Sequence, residues 1–447
     1  MAALPAQPPK EASPAKQSAS TMNEPLTDGV DSLLLARDQD LRLYCHLHAP
    51  PVERRHHGGL SWDYLPVSFS ADETSIVKDF QKHVMPLVRP SWTEKLLWHR
   101  VFEDGVTNKL LGFFREDPGA SSSADDSTAV LVRVNGEGRE LVVDGETEIL
   151  VILTLHKSGL CPPLYLVAEN ALCYGYIPGR ALAGNEMQCE EVLEATSRAL
   201  ARYHSIPPPP SISGRGPWVW RQARTWMKLV SESLHTDDLA SPRFKQVFGS
   251  VEELRLEMEW LRTFLRAPST DWSQVNGIGT HYPAASDSEE EGSGGISQSA
   301  CVLCHNDPQP LNFVKTPTGS VVLIDMEYSD VNYAAFDVGA FFCEFAGVHG
   351  TLDYSRYPSE IFQKKWIRSY LHECARIKGL SQATVSDAEV DGLYKDANNF
   401  AMVAHFIWSL WSLIQSKNSK INFDYLDYGC ARYTEFKRRK SIIISQL

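Results

Sequence analysis

Apolar residues follow two periods along the chain, and the change of period divides it into a β-rich part and a helical part. Apolar positions between 76 and 84 recur at helical spacing after a capping-box pattern at Ser70, which predicts a helix over 71–88. Short apolar runs rich in β-forming residues predict four strands, at 109–114, 129–134, 163–168 and 172–177. Because a helix is also predicted over 145–158, the first part reads as a small β-rich lobe.

The second half of the chain has mainly the period of helices. Apolar positions recur every three or four residues over 192–203 and 251–265, and the period returns towards the C-terminus. The exceptions are an apolar run at 300–304 and a predicted strand at 320–324. The pattern therefore predicts an α+β chain whose later part is mostly helical.

Composition predicts two segments without a packed core. Residues 1–58 are rich in Ala, Pro, Ser and His and have no sustained period, so we expect a disordered extension, with ordered structure beginning near Trp62. Residues 273–299 are acidic and rich in Gly and Ser, which predicts a flexible insertion. Between and around these segments we predict an N-terminal lobe at 59–178 and a C-terminal lobe at 179–447.

Charge and composition narrow the class of function. The chain has 43 Lys and Arg against 56 Asp and Glu, a net charge of −13, which argues against a nucleic-acid binder and suits a cationic small substrate. It has no run of 18 apolar residues, so we expect no membrane span. Its nine cysteines are thinly spread and its N-terminus resembles no targeting signal, so we expect a cytoplasmic protein.

The residues richest in chemistry lie between 301 and 328. Asp307 and Asn312 are five residues apart on one polar loop, and Asp325 follows 13 residues later at the end of a predicted strand. Oxygen ligands of this kind suit Mg²⁺, which shares its coordination shell with substrate phosphates. Asp307 could then accept the proton of an attacking hydroxyl group. The joint spacing predicts phosphoryl transfer.

Each part of this pattern also has a simpler interpretation. An Asp-Pro turn at Asp307 is usually structural, and Asn312 alone would more often cap a turn than bind a metal. The sequence Cys301-x-x-Cys304-His305 matches a c-type haem attachment site, but that chemistry needs an exported protein. The two cysteines could also bind zinc, but no second Cys/His pair stands at zinc-finger spacing, so buried thiols are expected.

Longer motifs resemble the choline/ethanolamine kinases. They are His-Asn-Asp-x-x-x-x-Asn at 305–312, Ile-Asp-Met-Glu-Tyr at 324–328 and Phe-Asp-Val-Gly at 336–339. Members of this family phosphorylate a small amino alcohol with ATP and are related in fold to the protein kinases. The resemblance covers about residues 62–440. It implies an α+β, protein-kinase-like fold with two lobes, and ATP and Mg²⁺ as cofactors.

The resemblance implies a nucleotide site between the lobes. The residues that would contact the nucleotide are Gly105, Thr107, Asn108, Arg133, Glu148, Tyr174 and Tyr176. The turn at 105–108 would cover the phosphates, and the segment 173–177 would be the hinge that touches adenine. Arg133 would pair with phosphate oxygens, and Glu148 on the adjacent helix would hold it in place.

The resemblance also implies roles in catalysis. Asp307 would be the catalytic base, Asn312 and Asp325 would hold Mg²⁺, and Asp337 would support the catalytic loop. The family usually reads Asp-Ile-Gly-Asn-His-Phe where this chain has Asp-Val-Gly-Ala-Phe-Phe at 337–342. The chain therefore lacks an Asn and a His, and we expect it to lose polar support beneath the catalytic loop.

An aromatic pair predicts where the amino group of the substrate binds. Trp408 and Trp411 are three residues apart on a predicted helix, so they share a face and could surround an ammonium group. Such a pair is ordinarily part of a core, but the family places a cationic head group at the matching tryptophans. The residues predicted to bind the substrate are Gln309, Glu327, Tyr328, Glu344, Trp408, Trp411 and Tyr428.

The motifs favour ethanolamine over choline. Phe-Ala-Gly-Val at 345–348 and Asp-Tyr-Ser at 353–355 resemble the ethanolamine branch, whereas Gln309 stands where choline kinases carry Gln. A primary ammonium has three N–H donors, so the carboxamide oxygen of Gln309 could serve ethanolamine directly. We therefore expect an enzyme that makes phosphoethanolamine, the first step of phosphatidylethanolamine synthesis by the CDP-ethanolamine route.

Several alternatives remain open at this point. One is a choline kinase or a kinase of both amino alcohols. Another, suggested by Ala340 and Phe341, is a catalytically weak protein that binds amino alcohols in a regulatory role. An aminoglycoside kinase or a protein kinase is a weaker interpretation, because neither needs the tryptophan pair. The formation of a homodimer is left open as well.

Overall fold

The computed structural model describes most of the chain from residue 51 onwards. The described residues are 51–92, 97–102, 108–115, 128–234, 241–265, 301–348, 351–380, 385–421 and 423–446. Residues 49–447 make one compact unit. The extension up to residue 50, the insertion at 273–299, and Gly105 and Thr107 lie outside the described residues. The boundary at residues 178 and 179 stays a prediction.

A seven-stranded sheet forms the N-terminal part. Its strands are β1 (Glu53–His57), β2 (Leu60–Leu65), β3 (Leu97–Phe102), β4 (Asn108–Arg115), β5 (Val130–Asn135), β6 (Leu164–Ala168) and β7 (Ala171–Gly175). Their spatial order is β1-β2-β6-β7-β5-β4-β3, and every pair is antiparallel except β2 with β6. The four strands predicted from the sequence are β4 to β7, so those predictions are confirmed.

Strand β1 corrects the prediction that residues up to 58 are disordered. All five of its residues are exposed, so it shows no alternation of apolar and polar positions that could predict a strand. It is held by backbone pairing to β2 and by side chains across that pair. Arg54 donates to Asp63 at 2.6 Å, and the guanidinium of Arg55 lies 3.1 Å from the ring centre of Tyr64. Cross-strand pairs of this kind stabilise a polar edge strand.

The helix predicted over 71–88 forms with one irregularity. It consists of α1 (Glu73–Asp79), a π-helical turn (Phe80–Val84) and α2 (Met85–Val88). Asp72, rather than Ser70, caps α1 by accepting from the backbone N–H of Ser75 at 2.9 Å. Phe80 stacks on Phe113 of β4 with ring centres 3.7 Å apart, which packs this helix against the sheet.

Helices dominate the rest of the chain, with short strands around residues 301–333. The helices are α3 (Gly145–Lys157), α4 (Glu190–His204), α5 (Pro210–Ser213), α6 (Trp218–Ser233), α7 (Pro242–Phe248), α8 (Val251–Phe264), α9 (Ala334–Cys343), α10 (Glu360–Ile377), α11 (Asp387–Asn418) and α12 (Tyr425–Gln446). The remaining strands are β8 (Arg180–Ala181), β9 (Cys301–Cys304), β10 (Phe313–Lys315), β11 (Val321–Leu323) and β12 (Asp330–Tyr333). Within the described residues, no helix is long and apolar enough to cross a membrane.

Close packing of α9 on α11 brings the motif at 336–339 next to the tryptophan helix. Gly339 permits this approach, because a Cβ atom there would lie 2.2 Å from the carbonyl oxygen of Ala397. Helix α11 carries Trp408 and Trp411 and is buried along most of its second half. The aromatic pair and Asp307 line the same cavity.

Candidate active site

A cavity of about 560 Å³ lies between the N-terminal sheet and the helical part of the chain. Its lining comes from strands β3, β4, β5 and β7, from the loop and strands at 307–328, and from helix α11. Among the described residues, every predicted site residue lines this cavity except Asp337. The same cavity is therefore lined by residues that were predicted for different chemical reasons and that lie up to 320 positions apart in the chain.

Backbone pairing brings together the three oxygen-bearing residues of the polar loop. Strands β10 and β11 pair antiparallel, and the N–H of Ile324 donates to the carbonyl oxygen of Asn312 at 2.9 Å. Asp325, the next residue, therefore follows directly beside Asn312. The side-chain amide of Asn312 donates to the backbone oxygen of Asp307 at 2.9 Å and to its Oδ2 at 3.2 Å.

Two residues of this region have left-handed backbone conformations. Asn306 has φ 67° and Asp325 has φ 62°, and they are the only described residues other than glycine with positive φ. Asn and Asp tolerate this region better than other residues with a Cβ, although it still costs free energy. The surrounding fold therefore holds the loop at Asn306 and the strand end at Asp325 in these conformations, and it fixes the direction of their side chains.

Asp337 supports the polar loop from below. One carboxylate oxygen accepts from the N–H of His305 at 2.7 Å, and the other accepts from the N–H of Asn306 at 2.8 Å. The ring of His204 also contacts Asp337, with Nε2 3.0 Å from Oδ2. His204, on α4, was missed by the sequence analysis because nothing near it in the chain signals that it meets residue 337.

The replacements at Ala340 and Phe341 do not leave the loop without polar support. Asp337 provides the hydrogen bonds described above, and both residues are buried among apolar side chains instead. The ring of Phe341 stacks on Trp366 with ring centres 5.0 Å apart and meets Phe313 edge-on at 5.6 Å. An aromatic cluster thus occupies the space at position 341, and the expected effect of the two replacements on the catalytic loop stays a prediction.

This cluster predicts the effect of restoring the residue that is usual in the family. We expect Phe341→His to lower the free energy of unfolding by about 2–4 kcal/mol, because an imidazole would be buried among aromatic rings without a described polar partner. Urea denaturation would measure the change. Phe341→Leu is the control, since it also loses ring contacts but buries no polar group. Equal stability of the two variants would contradict the prediction.

Two arginines and a buried glutamate connect the sheet to the strand end at Asp325. Glu148, on α3, pairs with Arg133 at 2.7 Å and with Arg139. Arg133 reaches Asp325 as well, at 3.2 Å. Burial opposes ionisation of Glu148, but the charges of Arg133 and Arg139 outweigh it, so the pKa of Glu148 is lowered. The predicted pairing of Arg133 with Glu148 is therefore present.

Arg139 was missed by the sequence analysis, because an arginine in a polar turn after a strand carries no motif. It is 7% exposed, and its Nε donates to Glu327 at 3.1 Å. Asn108 also donates to Glu327, at 3.0 Å. Glu327 lines the cavity as predicted, but it does so while paired with side chains of the N-terminal part.

Burial and neighbouring carboxylates raise the pKa of two acidic groups in the cavity, Asp307 and Asp325. Desolvation raises the pKa of Asp307 well above its usual value, and the charges of Glu344, Asp325 and Glu327 raise it further. Desolvation and the charge of Glu327 likewise raise the pKa of Asp325 to about 7, although Arg133 opposes the shift. A concentration of negative charge that the protein does not fully neutralise favours binding of cations here.

Aromatic rings form one wall of the cavity. Trp408 and Trp411 have ring centres 5.8 Å apart and planes 81° apart, so the prediction that they share a face of one helix is confirmed. Tyr328 meets Trp408 edge-on at 5.2 Å and accepts a hydrogen bond from the indole N–H of Trp411 at 2.9 Å. Tyr428 lies 6.4 Å from Trp411, between ring centres.

Solved structures show which class of fold this is. An ethanolamine kinase from Plasmodium vivax matches with a TM-score of 0.63 at 20% identity, over 83% of this chain and 91% of that chain. A choline kinase from Cryptosporidium parvum matches with the same TM-score at 18% identity, over 84% and 97%. The protein therefore has the two-part, protein-kinase-like fold that the motifs implied.

Sequence comparison gives the family within that fold. The model of the choline/ethanolamine kinase family matches residues 100–437. Ethanolamine kinase 2 from Rattus norvegicus is 34% identical over 79% of this chain and 79% of its own length. Ethanolamine kinase 1 from Mus musculus is 31% identical over 88% and 96%. The chain belongs to the choline/ethanolamine kinase family, and it is a kinase.

Proposed function

We propose that this kinase transfers the terminal phosphoryl group of ATP to the hydroxyl of ethanolamine, which yields phosphoethanolamine and ADP. Its relatives named ethanolamine kinases support this substrate. The observation that carries the proposal is the composition of the cavity, which has carboxylates at Asp307 and Asp325 and an aromatic wall at Trp408 and Trp411. The first group suits phosphoryl transfer, and the second suits the cationic end of an amino alcohol.

Asp307 is the proposed acceptor of the hydroxyl proton. The side-chain amides of Gln309 and Asn312 both donate to its Oδ2, at 3.1 and 3.2 Å. These two hydrogen bonds orient the carboxylate and leave Oδ1 for the attacking hydroxyl of the substrate. As the oxygen of ethanolamine bonds to phosphorus, its proton passes to Asp307 and the bond to ADP breaks.

Asn312 and Asp325 are the proposed ligands of Mg²⁺. The nitrogen of the Asn312 side chain is already used as a donor, so its oxygen is the atom left to bind a cation. Asp325 adds a carboxylate that is 36% exposed, and both are hard ligands of the type that Mg²⁺ takes. When bound, the ion would neutralise charge on the phosphates.

The proposed nucleotide site lies on the sheet side of the cavity. Arg133 is 5% exposed and is held by Glu148, so its guanidinium enters the cavity with a fixed direction suited to phosphate oxygens. Tyr174 and Tyr176 line the cavity where β7 ends, which supports their role beside adenine. Asn108, at the start of β4, lines the same cavity, and we propose that it lies beside the phosphates when ATP is bound.

The ammonium end of ethanolamine is proposed to bind between the aromatic wall and Glu344. A primary ammonium needs hydrogen-bond acceptors as well as aromatic faces, whereas trimethylammonium has no N–H to donate. Glu344 lines the cavity, and so does Gln309, whose side-chain oxygen accepts no hydrogen bond from the described residues. Acceptors at this end favour ethanolamine over choline.

The aromatic wall also supports choline as a second substrate, since its rings need no N–H from the ligand. We expect purified protein offered equal ethanolamine and choline, with Mg²⁺ and labelled ATP, to phosphorylate ethanolamine preferentially. Separation of the two labelled products measures the ratio. A preference for choline would contradict the proposal and make choline the main substrate.

The same assay tests the regulatory alternative. If neither amino alcohol is phosphorylated while calorimetry detects binding of one of them, the protein is a binding protein and the proposed function is wrong. Cytoplasmic location and a homodimer remain predictions from the sequence.

A further inference from the structure

A buried arginine lies behind the proposed ammonium site. Arg432, on α12, is 1% exposed and does not line the cavity. It contacts two residues that do, because its Nη2 donates to Oε1 of Glu344 at 2.7 Å and its Nε donates to the hydroxyl of Tyr428 at 2.9 Å. Its guanidinium also lies 4.9 Å from the ring centre of Tyr428. One side chain thus holds two parts of the cavity wall.

These contacts decide what Glu344 offers to a ligand. With Oε1 bound to Arg432, Oε2 is the oxygen left for the cavity, and no partner holds it within the described part of the chain. Without Arg432, the buried carboxylate of Glu344 would have no compensating positive charge, and its orientation would not be fixed. The hydroxyl of Tyr428 accepts from Arg432, so its ring is held at the edge of the aromatic wall.

We propose that Arg432 is a positioning residue that makes the cavity selective for a primary ammonium. It holds Glu344 so that one carboxylate oxygen meets the N–H groups of ethanolamine, and it acts only through its neighbours. Choline has no N–H group and depends on aromatic faces, so it needs this arrangement less. The inference rests on the proposed function and adds the origin of its selectivity.

The test is the effect of Arg432→Met on the two substrates. We expect KM for ethanolamine to rise roughly 10- to 100-fold through loss of a charge-assisted hydrogen bond, KM for choline to change less than about threefold, and KM for ATP to stay constant. The ratio of ethanolamine to choline phosphorylation falls accordingly. An unchanged ratio would overturn the proposal. If the unaltered protein phosphorylates neither substrate, it is the proposed function that fails.

Arg439 supplies a matched control on the same helix. It lies two turns after Arg432, is 9% exposed, pairs with Glu435 at 2.8 Å and covers the ring of Tyr357. Arg439→Met removes a buried, paired arginine that does not touch the cavity wall. It should lower the melting temperature without changing the substrate ratio. A similar fall of the ratio in both variants would mean that damage to α12, and not loss of positioning, explains the result.

A double variant keeps the test decisive if Arg432→Met fails to fold. Arg432→Met combined with Glu344→Gln leaves no unpaired buried charge, so it should fold more readily. Because Arg432 sets the substrate preference through Glu344, the double variant should show the same ratio of ethanolamine to choline phosphorylation as Glu344→Gln alone. A further fall of this ratio in the double variant would contradict the mechanism. Arg432→Lys retains the cation and should restore part of the preference.

Discussion

Asp307→Asn lowers kcat for ethanolamine phosphorylation by about 10²- to 10⁴-fold if Asp307 accepts the proton of the substrate hydroxyl. The asparagine retains the shape of the side chain, and its oxygen can still accept from Gln309 and Asn312, which now donate to Asp307 at 3.1 and 3.2 Å. What the substitution removes is the capacity to take up a proton. Steady-state kinetics with saturating ethanolamine and Mg-ATP measure the loss.

Binding of ATP is the internal control for this variant. Asp307→Asn should bind nucleotide about as tightly as the unaltered protein, because Arg133 and the hinge residues are unchanged. Calorimetric titration with a non-hydrolysable ATP analogue measures this. If the variant keeps more than one tenth of the original kcat, Asp307 is not the catalytic base. A variant that loses both turnover and nucleotide binding would point to a damaged cleft instead.

Asp325→Asn is expected to lower turnover by at least about 100-fold at ordinary Mg²⁺ concentrations, because it removes the only charged ligand of the proposed ion site. Asparagine tolerates the left-handed backbone at this position, where φ is 62°, so the strand end should keep its conformation. The direct measurement is a titration with Mn²⁺ followed by electron paramagnetic resonance, which reports ion binding independently of turnover. Ion affinity should fall together with kcat.

Asp391→Asn is the matched control for this loss of charge. Asp391 lies on α11, is largely exposed and pairs with Lys364 at 2.8 Å, away from the cavity. The control should bind Mn²⁺ and turn over like the unaltered protein. If Asp325→Asn binds the ion normally and still loses turnover, Asp325 acts in another way and the metal site is wrongly placed.

The local elements were predictable because their signals are local. The strands at 109–114 and 129–134 and the helix at 145–158 each show a run or a period that matches one kind of backbone, and the structure has them as β4, β5 and α3. Strand β1 shows the limit, since five exposed polar residues form a strand only because β2 lies beside them.

The site was predictable in part for a different reason. Asp307, Asn312 and Asp325 lie close together in the chain, and the family motif links them, so they could be assigned before their contacts were known. Arg139, His204 and Arg432 could not be found in this way. Each contacts a residue that is 88 or more positions away, although Arg139 also pairs with Glu148 and Arg432 also contacts Tyr428 nearby in the chain.

The sequence by itself determined the family, and it predicted the residues proposed for phosphoryl transfer and the aromatic pair at Trp408 and Trp411, because those features are carried by residue type and short spacing. Tertiary structure alone decided how the charges are paired. Buried ions need partners, and the partners of Glu327, Asp337 and Glu344 come from elements that are distant in the chain. Whether Glu344 can face an ammonium group depends on where α12 packs, and no local pattern encodes that contact.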